Sequence, residues 1–246
     1  MPRCLVVQHV APEEAFAIEE ALAAAGVAVE TVQVFAGDPV PAGLSGLDGL
    51  VVMGGPMSAN ADDGFGSRRA ELALLSQAVA AGLPTLGVCL GAQLLALATG
   101  GSVRRGEAGP EIGWSPVALT EACYADPLFA GLPSPLGVLQ WHGDTFSLPE
   151  GGTLLAGNAT YPSQAFRIGP VGWGLQFHIE VDAAAVAGFL EAFGADVEAT
   201  SGGSEQIRAQ TPAALAELAP IRAVLLDRFA QLVAADVIES DLVGSG

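Results

Sequence analysis

The residues best suited to covalent chemistry stand in the run Thr85-Leu86-Gly87-Val88-Cys89-Leu90-Gly91-Ala92-Gln93. A Gly-x-Cys-x-Gly pattern between a short apolar run and a helical pattern is the setting of a nucleophile elbow. The turn is so sharp that side chains two residues before and after the nucleophile would collide, which explains glycine at Gly87 and Gly91. Cys89 then starts a helix, whose dipole favours a thiolate and lowers the thiol pKa. The Leu90 N–H points where an oxyanion would form. A nucleophilic cysteine needs a base, and the base needs an orienting acid. His178 ends an apolar run in Gly174-Leu175-Gln176-Phe177-His178-Ile179-Glu180, with Glu180 two residues on and on the same side of an extended chain. His142, in Gln140-Trp141-His142-Gly143-Asp144, has an acid at the same spacing, so spacing leaves both histidines open. His9 closes the first apolar run and reads as structural or as a pocket-rim residue. The plain alternatives are a buried inert cysteine and a surface His-x-Glu pair.

Apolar runs alternate with helical patterns over the first hundred residues and would position this elbow. Strands are expected at 4–8, 27–34, 47–53 and 85–88. Pro12 opens a predicted helix with Glu13 and Glu14 in its first turn, a stripe of Ala15, Ile18 and Leu22, and a stop at Gly26. Further helices are expected at 67–81 and 91–99. The alternation predicts an α/β fold with a mostly parallel sheet flanked by helices on both faces. After Gly100-Gly101, shorter strand-like pieces at 116–119, 137–140, 153–156, 165–168 and 172–177 predict a small antiparallel extension of the same domain. Helices follow at 183–198 and 212–235, with Ser201-Gly202-Gly203-Ser204 as a loop between them. Leu218, Ile221, Leu225, Phe229 and Leu232 share one face, so the helix at 212–235 is expected to dock on a single domain spanning 1–246.

Composition removes several function classes. The net charge is −18, with 27 acidic and nine basic residues, all nine of them arginine. Nucleic-acid binding needs a basic footprint that this chain lacks. A P-loop or Schiff-base enzyme needs a lysine, and none is present. The three cysteines, Cys4, Cys89 and Cys123, are too widely spaced for a zinc site or a disulfide framework, which fits a reducing compartment. No apolar run is long enough to span a bilayer, and the N-terminus reads as a strand rather than a signal peptide, so a cytoplasmic location is expected.

Three ordered motifs, Gly-Val-Cys-Leu-Gly-Ala-Gln, Trp-His-Gly-Asp and Gln-Phe-His-x-Glu, resemble the class I glutamine amidotransferases, with the nearest likeness to the glutaminase domain of GMP synthetase and its free-standing relatives. The likeness covers roughly residues 3–190. It implies a flavodoxin-like fold and a triad of Cys89, His178 and Glu180, choosing His178 over His142. It implies a second oxyanion donor at Gly55, in Gly54-Gly55-Pro56, and substrate contacts from Gln93 and Asp144, an acid suited to the substrate ammonium. No cofactor and no metal are implied. One departure is Ile179 where the family usually carries proline; the i, i+2 relation survives it. The implied reaction is hydrolysis of the glutamine side-chain amide through a γ-glutamyl thioester, with ammonia passed to a separate synthetase subunit or released by a free-standing enzyme. The same triad would serve a γ-glutamyl peptidase acting on glutathione-like compounds, and a non-catalytic binding module is the third reading.

Overall fold

A computed structural model describes residues 1–197 and 203–243. The end of the predicted helix at 198 and the first half of the loop Ser201-Gly202-Gly203-Ser204 lie outside the described residues. The chain runs β1 (Arg3–Gln8), α1 (Ala17–Ala24), β2 (Ala28–Gln33), β3 (Gly49–Val52), α2 (Arg68–Ala81), β4 (Thr85–Val88) and α3 (Leu90–Ala98). It continues through β5 (Ser102–Arg105), β6 (Glu111–Leu119), β7 (Leu136–His142), β8 (Asp144–Ser147), β9 (Thr153–Gly157), β10 (Ala165–Ile168) and β11 (Gly172–Leu175). It closes with α4 (Ala183–Ala192), the short α5 (Gly194–Val197) and α6 (Gly203–Val243).

The main sheet has the order β2-β1-β3-β4-β11-β10-β9-β6-β7. β1, β2, β3, β4 and β11 pair in parallel, while β10, β9, β6 and β7 continue the sheet in antiparallel pairs. A separate antiparallel ribbon pairs β5 with β8. Side-chain alternation along each strand divides the core into two layers. Cys4, Val6, Val51, Met53, Leu86 and Val88 face one layer, with Ile18 and Leu22 of α1 and Leu225 and Phe229 of α6. Leu5, Val7, Leu50 and Val52 face the other, with Leu74 and Leu75 of α2 and Leu94 and Leu95 of α3. Both faces of the sheet are therefore covered, as its continuous apolar strands require.

Four differences from the sequence reading have local causes. Residues 11–15 are loop, and α1 starts at Ala17 after Phe16, which has φ 43°. Glu13 is therefore no first-turn acid; it turns inward and is buried. β6 and β7 are longer than expected because they pair with each other over seven residues, a non-local partnership. The ribbon β5–β8 was not expected, its strands being four residues long and largely polar. α6 begins at Gly203 rather than 212, with Pro212 and Pro220 inside it, each removing one backbone donor from the helix.

Candidate active site

The elbow is built by three strands and one helix. The β4 register sets Gly87 beside Val52 of β3 and Gly174 of β11, deep in the sheet. Cys89 follows with φ 51°, in the left-handed region that a non-glycine residue adopts only under constraint. The constraint is visible on both sides. Its amide donates to the Leu175 carbonyl at 2.8 Å, and its carbonyl accepts the first α3 bond, from the Gln93 amide at 3.1 Å. A Cβ at Gly87 would stand 2.5 Å from the Gly91 carbonyl oxygen, and one at Gly91 would overlap the Val52 carbonyl. The Leu90 amide precedes Gln93, the first α3 donor, and so has no intrahelical partner.

The base is delivered from the end of β11. The backbones of His178 and Leu139 exchange bonds of 2.8 and 3.3 Å, which pins the residue to β7. His178 Nδ1 lies 2.7 Å from Glu180 Oε1, and both side chains are buried. The Phe189 ring meets the imidazole edge to face, 5.2 Å between centroids. Burial alone would lower the His178 pKa. The Glu180 charge, with hydrogen bonds to Cys89 and Glu180, outweighs it and holds the imidazolium well above the ordinary histidine range. Burial pushes the Cys89 thiol up, and the hydrogen bond and charge of His178 only partly oppose it. This differs from the expectation of a lowered thiol pKa at a helix start: desolvation by burial is the largest influence on the thiol and raises its pKa.

His142 stands elsewhere. Its Nδ1 is 2.9 Å from the Asp144 carbonyl, and its Nε2 is 3.3 Å from Glu111 Oε2, so both nitrogens face structural partners. The β6–β7 register places Glu111 opposite His142. His142 and two carboxamides hold Glu111. Its pKa falls below the ordinary value although burial pushes the other way, because the adjacent His142 and the donating Asn158 amide together outweigh burial. His9 is structural, its ring between the Gly54 carbonyl at 2.9 Å and Glu71 at 2.7 Å.

A cleft of about 790 Å³ opens above Cys89. Gly55, Gln93 and Asp144 all border it with Cys89, while Leu90, His178 and Glu180 are buried and do not line it. Gly55 must be glycine: a Cβ would stand 2.9 Å from the His9 Cβ and 3.0 Å from a Leu90 methyl. Gln93 is buried rather than a helix-surface amide; its Nε2 donates to the Asp144 carbonyl at 3.4 Å and to Gln176 Oε1 at 3.3 Å. Gln176 Nε2 in turn points at Cys89 Sγ, 3.8 Å away. Sequence reasoning missed three members of this site. Gln176 was visible in its motif. Arg105 lines the cleft and is the register partner of Asp144 across the β5–β8 ribbon. Glu13 also lines the cleft, brought there by the loop before α1.

The sequence and its mostly parallel flavodoxin-like fold match known proteins. The profile of the family described as glutamine amidotransferase class-I matches residues 15–193, and the chain belongs to that family. The glutamine amidotransferase-like protein YfeJ of Salmonella typhimurium is 37% identical over 169 residues, 68% of this chain and 70% of its own length. The GMP synthase of Porphyromonas gingivalis is 38% identical over 151 residues, 61% of this chain but only 28% of that enzyme. Among solved structures, a glutamine amidotransferase of Thermotoga maritima superposes with a TM-score of 0.84 at 30% identity, covering 94% of this chain and 98% of its own. One from Methylobacillus flagellatus gives 0.83 at 29% identity, covering 94% of each chain. No described helix is long and apolar enough to cross a membrane.

Proposed function

We propose that this protein is a cysteine-dependent glutaminase, hydrolysing the side-chain amide of glutamine through a γ-glutamyl thioester, and that residues 1–246 form one such unit. The observation that carries the reading is Cys89 at φ 51° on the elbow, its thiol under the influence of a buried His178 that Glu180 grips at 2.7 Å. Cys89 passes its proton to His178 Nε2, since Nδ1 faces Glu180. The thiolate adds to the amide carbon, and the N–H groups of Leu90 and Gly55 receive the oxyanion. Such a donor is worth about 3 kcal/mol. His178 returns the proton to the departing nitrogen, ammonia leaves, and the thioester carbonyl carbon stays on sulfur. A water then gives a proton to His178, attacks that carbon, and releases glutamate and the Cys89 thiol.

The amino-acid end of the substrate is a zwitterion. Asp144 suits its ammonium. Arg105 suits its carboxylate, because it is directly opposite Asp144 and its guanidinium has no hydrogen bond or ion pair among the described residues. Gln93 holds the Asp144 backbone in place. A γ-glutamyl peptidase is the second reading, and the cleft favours keeping it: about 790 Å³ suits a drug-sized ligand and leaves room for a leaving group larger than ammonia. In Thermoplasma acidophilum the relative, 36% identical over 143 residues, is one subunit of a glutamine-hydrolysing GMP synthase. That likeness makes a separate synthetase chain the natural ammonia acceptor for a glutaminase of this build.

A γ-glutamyl chloroketone should form one adduct, on Cys89, found by peptide mass spectrometry, and glutamine should compete with it. Cys89→Ala and His178→Ala should each cost several orders of magnitude in turnover, while Cys4→Ala and Cys123→Ala retain it. Full turnover in Cys89→Ala would end the mechanism. A product assay across glutamine and larger γ-glutamyl amides decides between the two substrate readings.

A further inference from the structure

The thioester chemistry uses no part of Glu13, yet the fold delivers this side chain to the reacting centre. Glu13 is 6% exposed and borders the cleft together with Cys89. Its Oε2 is buried with no hydrogen-bond partner among the described residues. The loop that carries it is firmly built. Gln8 Nε2 donates to the Val10 carbonyl at 3.0 Å and to the Ala11 carbonyl at 3.2 Å. The Ala17 amide donates to the Glu180 carbonyl at 3.2 Å, tying the loop to the triad. Glu13 Oε2 packs on the Cα of Gly54, where any Cβ would overlap it, and that same Cβ position lies 3.4 Å from Cys89 Cβ. The carboxyl and the nucleophile thus flank Gly54, one residue before the proposed oxyanion donor Gly55.

We propose that Glu13 is a positioning residue for the Cys89 chemistry that works in its neutral form. Protonated, it leaves the cleft free for negative charge to gather on sulfur and on the oxyanion; ionised, it opposes both. This rests on the cysteine mechanism proposed above. The charged and titratable groups that face Glu13 are His178 and Glu180 beyond β11, His9 beyond β1, and Cys89 at the elbow. None of them donates to Oε2, so no hydrogen bond offsets the desolvation of a carboxylate there. Burial pushes the carboxyl up to about 7; His178 and His9 pull it down and Glu180 adds to the rise. In the other direction, the Glu13 charge raises the Cys89 pKa. As pH climbs through about 7, Glu13 loses its proton and the thiol becomes harder to ionise.

Iodoacetamide alkylation of Cys89 in the full chain, read by peptide mass against pH, tests this. In the wild type the rate should climb by less than tenfold per pH unit between 6 and 8. In Glu13→Gln, which removes the charge and keeps the shape, it should follow a single-proton curve displaced to lower pH. At pH 8 the variant should react about tenfold faster, the effect of one pKa unit. The kcat/KM for glutamine should decline above about pH 7 in the wild type, and Glu13→Gln should lack that decline. A variant that changes the rate by one factor at every pH, leaving the curve's shape, overturns the proposal. The wild type supplies a second test that needs no variant: the Glu13 carboxyl carbon, followed by NMR, should titrate near 7, and a midpoint near the ordinary ~4.3 overturns it equally. If no γ-glutamyl compound is hydrolysed, the glutaminase reading falls, while the alkylation curve and the carboxyl titration still decide the role of Glu13.

Discussion

At the scale of single residues, the cleft divides its charges by task. The buried His178–Glu180 pair and the unpartnered Glu13 surround Cys89, while Asp144 and Arg105 stand farther out on the β5–β8 ribbon. The other two cysteines lie outside this arrangement: burial and the nearby Asp48 push Cys4 up to about 12, and burial, with Asp126, raises Cys123. The ribbon pair gives a clean separation of binding from chemistry. Asp144→Asn removes charge and keeps shape, and losing a charge-assisted hydrogen bond costs about 1.5–3 kcal/mol. Its kcat/KM for glutamine should therefore fall about tenfold to a hundredfold, and Arg105→Gln should do the same. Alkylation of Cys89 by iodoacetamide should hardly change in either variant. If both retain the wild-type kcat/KM on every γ-glutamyl compound tried, the zwitterion site must be abandoned.

At the scale of elements, one buried aspartate ties the strands behind the elbow. Asp126 accepts from the Leu128 and Phe129 amides at 2.9 and 3.1 Å and from Trp173 Nε1 at 3.2 Å, and it pairs with Arg167 Nε at 2.9 Å. Arg167 is on β10, and Trp173 on β11 sits beside Leu86 of β4. Asp126→Ala leaves the Trp173 N–H without its acceptor, while partly exposed Arg167 keeps the Gly169 carbonyl, so unfolding free energy should drop by about 1–3 kcal/mol. Urea denaturation measures it, and a loss below about 1 kcal/mol would show that water replaces the carboxylate. Elements of this buried kind were legible in sequence. Residues 85–88 read as a strand and are one, because a short apolar run between Pro84 and a glycine elbow has few other uses. β5 and β8 were not legible, since their polar residues gain a partner only when distant segments meet. Glu13 was misread for a related reason. An acid just after a proline satisfies every local rule for a helix start, and only the packed site shows that its carboxyl is wanted against Gly54. The elbow at Cys89 and the His178–Glu180 contact were legible because each carries its spacing locally, although spacing left His142 equally open. The pKa of the thiol was not, because desolvation is a property of the finished core.

At the scale of the whole molecule, α6 closes one face of the sheet and braces the site from behind. Leu218, Leu225, Phe229 and Val233 enter the same apolar layer as Val88 and Cys89. Arg222 donates to the Val181 carbonyl at 2.6 Å, one residue past Glu180, and Arg228 donates to the Leu128 and Ala130 carbonyls at 2.8 and 2.7 Å. The helical stripe was visible in the sequence, but these backbone clasps were not, since a carbonyl acceptor leaves no mark on residue type. The clasps and the stripe make different contributions, and a single variant separates them. Phe229 is 1% exposed in the core, and Phe229→Ala at such a position costs about 3–5 kcal/mol through lost burial and the cavity left behind. The cleft is lined from the loops before α1 and after β3, the elbow, the β6–β7 pair, the ribbon and the α4–α5 segment, and no described residue of α6 borders it. Phe229→Ala should therefore lower Tm markedly while kcat and KM per folded molecule, measured well below the transition, stay within about twofold of wild type. A variant that keeps its Tm would show that α6 is not integral to the core. One that folds fully yet loses turnover would show that the helix acts on the triad itself, through the Arg222 clasp beside Glu180.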